Sequence, residues 1–98
     1  MASHDRRVVF GRLLRAHRLR RLLTQEQLAA RAGMSARAIR ELEQGRVRRP
    51  RGDSVRLLAD ALTLAGETRE EFHTAARGPG AAVAVAITRL LRTANPNR

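Results

Sequence analysis

Between Thr24 and Gly45 the chain carries two helix starts and two helix stops, and their spacing admits only a pair of short helices joined by a sharp turn. Thr24 and Gln27 form a T-x-x-Q pair, in which hydroxyl and amide satisfy each other's orphan backbone donors at a helix start. This predicts a helix over 25–32. Gly33 follows as a left-handed C-cap, and Ser35 supplies the next N-cap only two residues later. A second helix then runs over 36–44, with Ile39 and Leu42 on one face and Arg37, Arg40, Glu41 and Gln44 around the other, until Gly45 stops it.

The flanking sequence reads as further helices. From Val9 to Leu23, apolar Phe10, Leu13, Leu14 and Leu19 alternate with arginines at one-sided helical spacing. The stretch 46–51, RVRRPR, cannot be a helix interior, because Pro50 lacks a donor and restricts Arg49, so it reads as an extended basic arm. Asp53 is expected to cap a helix over 54–63 with the stripe Val55, Leu58, Ala59 and Leu62, and Thr68 with Glu71 to form a capping box opening a fifth helix through Ala76. Gly78, Pro79 and Gly80 break the chain. Alternation in AVAVAI would suit a strand, but the alanines, and Val83, Ile87, Leu90 and Leu91 at i, i+4, i+7 and i+8, favour a sixth helix over 81–93. The expected architecture is all-α: a basic arm over 1–8, a compact five-helix domain over 9–77, and a Gly-Pro-Gly hinge with a terminal helix over 78–98.

Charge narrows the partner. The 98 residues carry 20 basic side chains, all arginine, against 9 acidic ones, for a net charge of +11. Such density calls for a polyanion. With only two aromatic residues, Phe10 and Phe72, the chain lacks the platforms on which single-strand binders stack bases, which leaves double-stranded DNA as the favoured partner. The absence of cysteine removes thiolate zinc sites, disulfides and a cysteine nucleophile. His4, His17 and His73 are scattered without a metal-binding i, i+4 pair, His17 and His73 reading as surface or core-edge residues, and no glycine-rich phosphate loop occurs, so neither enzyme nor cofactor is expected. The longest apolar run, 81–87, is far short of the roughly 20 residues that span a bilayer.

A tight helix pair with a polar outer face on the second helix is the arrangement of a DNA-binding helix-turn-helix. Residues 14–64, most visibly LTQEQLAARAGMSARAIRELEQGRVRRP, resemble the XRE or phage-repressor (Cro and C1) helix-turn-helix family. The resemblance implies a cytoplasmic bacterial or phage regulator that lays its third helix in the major groove, usually as a dimer on a near-palindromic site. It implies phosphate contacts for Gln25, Ser35 and Gln44, base-reading positions at Ala36, Arg37, Arg40 and Glu41, and backbone contacts for Arg46, Arg48, Arg49 and Arg51. It also implies a buried structural ion pair between Arg18 and Glu43. Leu22 stands where relatives commonly place a helix-ending glycine, and a non-glycine residue in that conformation costs roughly 1–2 kcal/mol, so helix one is open to ending differently.

Arg37 is the first choice as reader, since a guanidinium pairs bidentately with guanine whereas Ala36 reaches only a thymine methyl, and Glu41 would accept from cytosine or hold an arginine. On an isolated helix the same residues would be an ordinary solvated face with an Arg37–Glu41 pair at i, i+4. Arg6 and Arg7 are candidates for an arm along the DNA. The stripe of Val83, Ile87, Leu90 and Leu91 would either close its own core or pair with a second copy into a homodimer. Repression is favoured over activation because blocking polymerase needs fewer parts. A membrane-surface role for the basic first helix, an antitoxin with a protein partner, and the head of a longer regulator are the competing readings.

Overall fold

The computed structural model describes residues 6–47 and 49–78. Five helices follow one another: α1 (Arg6–Arg20), α2 (Gln25–Ala32), α3 (Ala36–Glu43), α4 (Gly52–Ala61) and α5 (Gly66–Arg77). No strand occurs among the described residues, and the fold is all-α. The expected sixth helix and Arg48 lie outside them.

The core forms where the apolar stripes of the helices converge. Leu14, Leu28, Ile39, Leu58, Leu62 and Phe72 are fully buried. Phe10 of α1 meets Phe72 of α5 with ring centroids 4.9 Å apart and tilted by 44°, an offset arrangement in which the ring quadrupoles attract. Through these contacts α1 packs on α3 and α5, α2 on α3 and α4, and α4 on α5. The α1–α3 crossing depends on Gly11. A Cβ there would stand 2.7 Å from the Leu42 carbonyl oxygen and 2.6 Å from that of Glu43, so only glycine lets the end of α3 lie against α1.

Four helix ends share one mechanism. After α1, Leu22 N–H donates to Leu19 and Leu23 N–H to Arg18; after α4, Thr63 and Leu64 repeat the pattern with Asp60 and Ala59. These paired bonds satisfy the last free carbonyls of each helix and require one left-handed residue. Gly33 and Gly45 supply it for α2 and α3, at φ 70° and 73°. Leu22 and Thr63 supply it at φ 57°, with no glycine. Helix one therefore does end left-handed at the position where glycine is customary. Burial of Leu23 and Leu64, the residues that follow, holds both corners closed against this local cost.

Several expectations are corrected. Helix α1 begins at Arg6 rather than Val9, so Arg6 and Arg7 form its first turn. Leu19, assigned to the inner stripe, is 50% exposed, because Arg18 takes the inward position beside Leu14 and His17. Of the two places open to His17, surface or core edge, it takes the inner one: it is buried, its ring standing edge-on to Phe72 with centroids 5.9 Å apart. Asp53 does not cap α4. That helix opens two residues earlier behind Arg51, and Asp53 pairs instead with Arg56 at 3.2 Å in its first turn. The Thr68–Glu71 capping box is likewise absent, because the tight corner at Thr63 brings the chain round so quickly that α5 starts at Gly66, behind Ala65.

Two substitutions report on these features in opposite directions. Gly11→Ala is expected to lower stability by about 1–3 kcal/mol through overpacking at the α1–α3 crossing. Leu22→Gly, at a side chain 88% exposed, is expected to raise it by about 0.5–1 kcal/mol by relieving left-handed strain. Urea titration measures both.

Burial, joined by Arg20 and Arg21, lowers the pKa of His17 below 6.5 despite Glu71, and burial with Arg69 and Arg77 lowers that of His73. The unfolded chain therefore takes up protons near pH 6.5 before the folded one does. The stability that follows is complete above the unfolded pKa and is lost as pH falls through the folded values. The melting temperature should fall between pH 7.5 and 5.5, and His17→Gln should flatten that dependence.

Candidate nucleic-acid interface

The helix pair at the centre of the fold is assembled by reciprocal caps. Gln27 N–H donates to Thr24 Oγ1 at 3.0 Å and Thr24 N–H to Gln27 Oε1 at 2.9 Å, which sets the start of α2. Ser35 Oγ accepts from Ala38 N–H at 3.0 Å and starts α3. Only Gly33, Met34 and Ser35 separate the two helices, so α3 is fixed in direction by α2 almost as soon as it begins.

The far end of α3 is fixed by charge. Arg18 Nε donates to Glu43 Oε2 at 2.6 Å and its Nη2 to Oε1 at 3.0 Å, a bidentate pair whose side chains are 10% and 5% exposed. The third guanidinium nitrogen, Nη1, donates to the Leu23 carbonyl at 2.9 Å, tying the α1–α2 corner to the same group. Gln25 Nε2 donates to Glu43 Oε1 at 3.0 Å. A carboxylate at a helix C-terminus opposes the helix dipole, and here these charge-assisted bonds offset that. The bond to Glu43 also holds the Arg18 guanidinium above its ordinary pKa. Gln25 is thus a half-buried member of this network as well as the head of α2.

Between those two anchors α3 divides cleanly. Ile39 and Leu42 are buried. On the other side Arg37 is 84% exposed, Arg40 and Gln44 are exposed, and Glu41 is half-buried. Arg37 Nε lies 3.8 Å from Glu41 Oε2, a long surface pair worth little, which leaves the guanidinium free to reorient. Ala36 differs from its neighbours: it is half-buried and packs against the edge of the core. Gln44 is the C-cap of α3 rather than its last residue.

The arm beyond α3 is pinned at intervals. Val47 packs against the core and Pro50 is half-buried, while Arg46, Arg49 and Arg51 are exposed. Met34, Ser35, Arg37, Val47, Pro50 and Arg51 are among the residues that line one shallow groove between α3 and the arm. The exposed arginines of helix and arm therefore border a common surface. Gly11 was not legible as part of this site, because nothing in its local sequence signals that a helix end lies against it. Among the described residues no cluster of three or more His, Asp or Glu side chains could hold a metal ion, and no helix is long and apolar enough to cross a membrane.

The model of the helix-turn-helix domain family matches residues 9–72, well over half of the chain. The chain belongs to that family. The match is consistent with the XRE-type resemblance of residues 14–64, and it makes this helix-turn-helix protein a DNA-binding one. No curated protein and no solved structure matches the chain significantly.

The buried pair gives a direct test. Glu43→Ala is expected to cost about 3–5 kcal/mol by leaving the Arg18 charge buried and unpaired, whereas Gln25→Ala, which removes one bond of the network, should cost about 1 kcal/mol. Thermal melts followed by circular dichroism separate the two.

Proposed function

We propose that the protein is a sequence-specific regulator that binds double-stranded DNA with α3 in the major groove and represses transcription by occupying its site. The observation that carries this reading is the division of α3, one face fully committed to the core and the other a row of exposed polar side chains beside a basic arm. In this reading Arg37 pairs with guanine, Arg40 and Glu41 reach neighbouring base edges, and Ala36 offers its methyl group to a thymine at the margin of the contact. Ser35, Gln44 and the second N–H of the Gln25 amide meet phosphates. Arg46, Arg48, Arg49 and Arg51 track the backbone and displace condensed counterions. None of this requires a cofactor.

One head of this size covers few base pairs, so a homodimer on two half-sites about one helical turn apart is the arrangement that yields specificity. The segment carrying Val83, Ile87, Leu90 and Leu91 is the proposed dimer element. Sedimentation of the full chain, with and without Leu90→Asp, tests it.

The function itself is tested by fluorescence anisotropy against a duplex enriched from a random library and against its scrambled counterpart. Arg37→Ala is expected to weaken binding to the enriched duplex by roughly 10-fold or more and to relax preference at one base pair, with little effect on the scrambled duplex. Arg49→Ala should weaken both duplexes alike and reduce the salt slope by about one. Parental affinity in Arg37→Ala would take α3 out of the groove.

A further inference from the structure

Helix α5 is buried on two opposite sides. Phe72 and Ala76 face the core. At 3.6 residues per turn, Thr74 stands about 160° around the helix from both of them, yet it is only 3% exposed. Gly78, one turn further along the Thr74 side, is buried as well. The two helices packed on α5 meet it elsewhere: α1 brings Phe10 and His17 to Phe72, and Asp60 of α4 accepts from Arg69 at 2.8 Å. The Thr74 hydroxyl accepts from Arg77 Nη2 at 3.4 Å, a single long bond from a residue that is itself exposed. Neither the core nor that bond accounts for the burial of Thr74, so a second layer covers α5 on its outer side.

The chemistry of that outer side is distinctive. Glu67, Glu70 and Glu71 precede Thr74 by seven, four and three residues and therefore share its face. Three of the nine acidic residues of a chain carrying +11 are gathered here, which makes this face a poor contact for DNA and a fit for a basic helix. Its other half is small, with Thr74 and then Gly78, whose N–H donates to the Thr74 carbonyl at 3.2 Å and whose φ of 122° turns the chain out of the helix. The chain thus leaves α5 on the very side that is covered, with twenty residues still to follow.

We propose that residues 81–93 of the same chain fold back as a helix antiparallel to α5 and cover this face. Gly78, Pro79 and Gly80 make a loop of the length that joins antiparallel helices. On a helix over 81–93, Ala82, Val85, Arg89 and Arg92 recur at i, i+3, i+7 and i+10 and share one face. Running back from that loop, Val85 falls opposite Thr74, and Arg89 and Arg92 fall opposite Glu71 and Glu67. Small side chains meet small ones where the helices approach, and guanidinium meets carboxylate beyond. The stripe of Val83, Ile87, Leu90 and Leu91 lies on the other side of the segment and is left facing outward. The docking deepens the dimer reading above by giving it a geometry: each chain holds its own segment on α5 and presents the stripe to a second copy.

The full chain has no cysteine, so introduced pairs report on proximity without background. Thr74→Cys with Val85→Cys, oxidised with diamide, is expected to convert most of the protein to a cross-linked monomer on non-reducing gels, whereas Thr74→Cys with Ile87→Cys, whose second site faces the other way, should not. A cross-linked dimer from the first pair would mean that a second copy's segment covers α5, and overturns the proposal. So does equal cross-linking of the two pairs, or none from either. Charge gives a second measurement. Glu67→Arg and Arg92→Glu should each lower the melting temperature by about 2–4 °C, and the two together by no more than the larger single loss; additive losses overturn the proposal. A chain that cross-links as expected but sediments as a monomer would leave the docking standing and remove the dimer. A dimer whose first pair fails to cross-link within one chain would do the reverse.

Discussion

Three helices converge on the carboxylate of Glu43. Arg18 reaches it from α1 with two nitrogens, Gln25 reaches it from the head of α2, and the carboxylate itself ends α3. A buried ion pair is weak evidence of net stability, because desolvation consumes much of the Coulomb gain. What it supplies here is position. Hydrophobic packing around Ile39 and Leu42 would tolerate some sliding and rotation of an eight-residue helix. A bidentate pair with fixed directions does not, and α3 is thereby held at its last residue as firmly as Ser35 and Gly33 hold it at its first.

The same guanidinium also bonds the Leu23 carbonyl, which lies directly after the left-handed Leu22. The corner between α1 and α2 is therefore closed by the group that fixes α3. Gly11 completes the arrangement by letting the terminal carbonyls of α3 rest on α1. Local strain at one corner, a missing side chain at one crossing and a buried charge at one helix end are parts of a single solution to the problem of holding a short helix rigid.

Much of this was legible in the sequence wherever the signal was local. The Thr24–Gln27 box, the Ser35 cap and the Gly33 stop each depend on neighbours within a few residues, and the helices they delimit are where the pattern places them. The signals that misled were also local, but were overruled from a distance. Thr68 and Glu71 have the spacing of a capping box, yet burial of Leu64 and Phe72 sets the start of α5 earlier. Leu19 is as apolar as Leu14, yet the inward position goes to Arg18 because a carboxylate waits there. The close approach at Gly11 and the burial of His17 arise from pairs of helices far apart in the chain, which no window of neighbouring residues can report. Within the candidate interface, the exposed arginines followed from helical periodicity, whereas the partial burial of Ala36 and the double attachment of Gln25 did not.

The separation of duties along α3 bears on how such a protein diversifies. Ile39, Leu42 and Glu43 carry the fold, while Arg37 and Arg40 project into solvent and touch little else. Substitutions at the outward positions are nearly neutral for folding, since surface changes away from special features alter stability by only about 0.5 kcal/mol. These side chains can therefore be exchanged without passing through unfolded intermediates. The fold is fixed from one side of the helix, and the other side is left open to change.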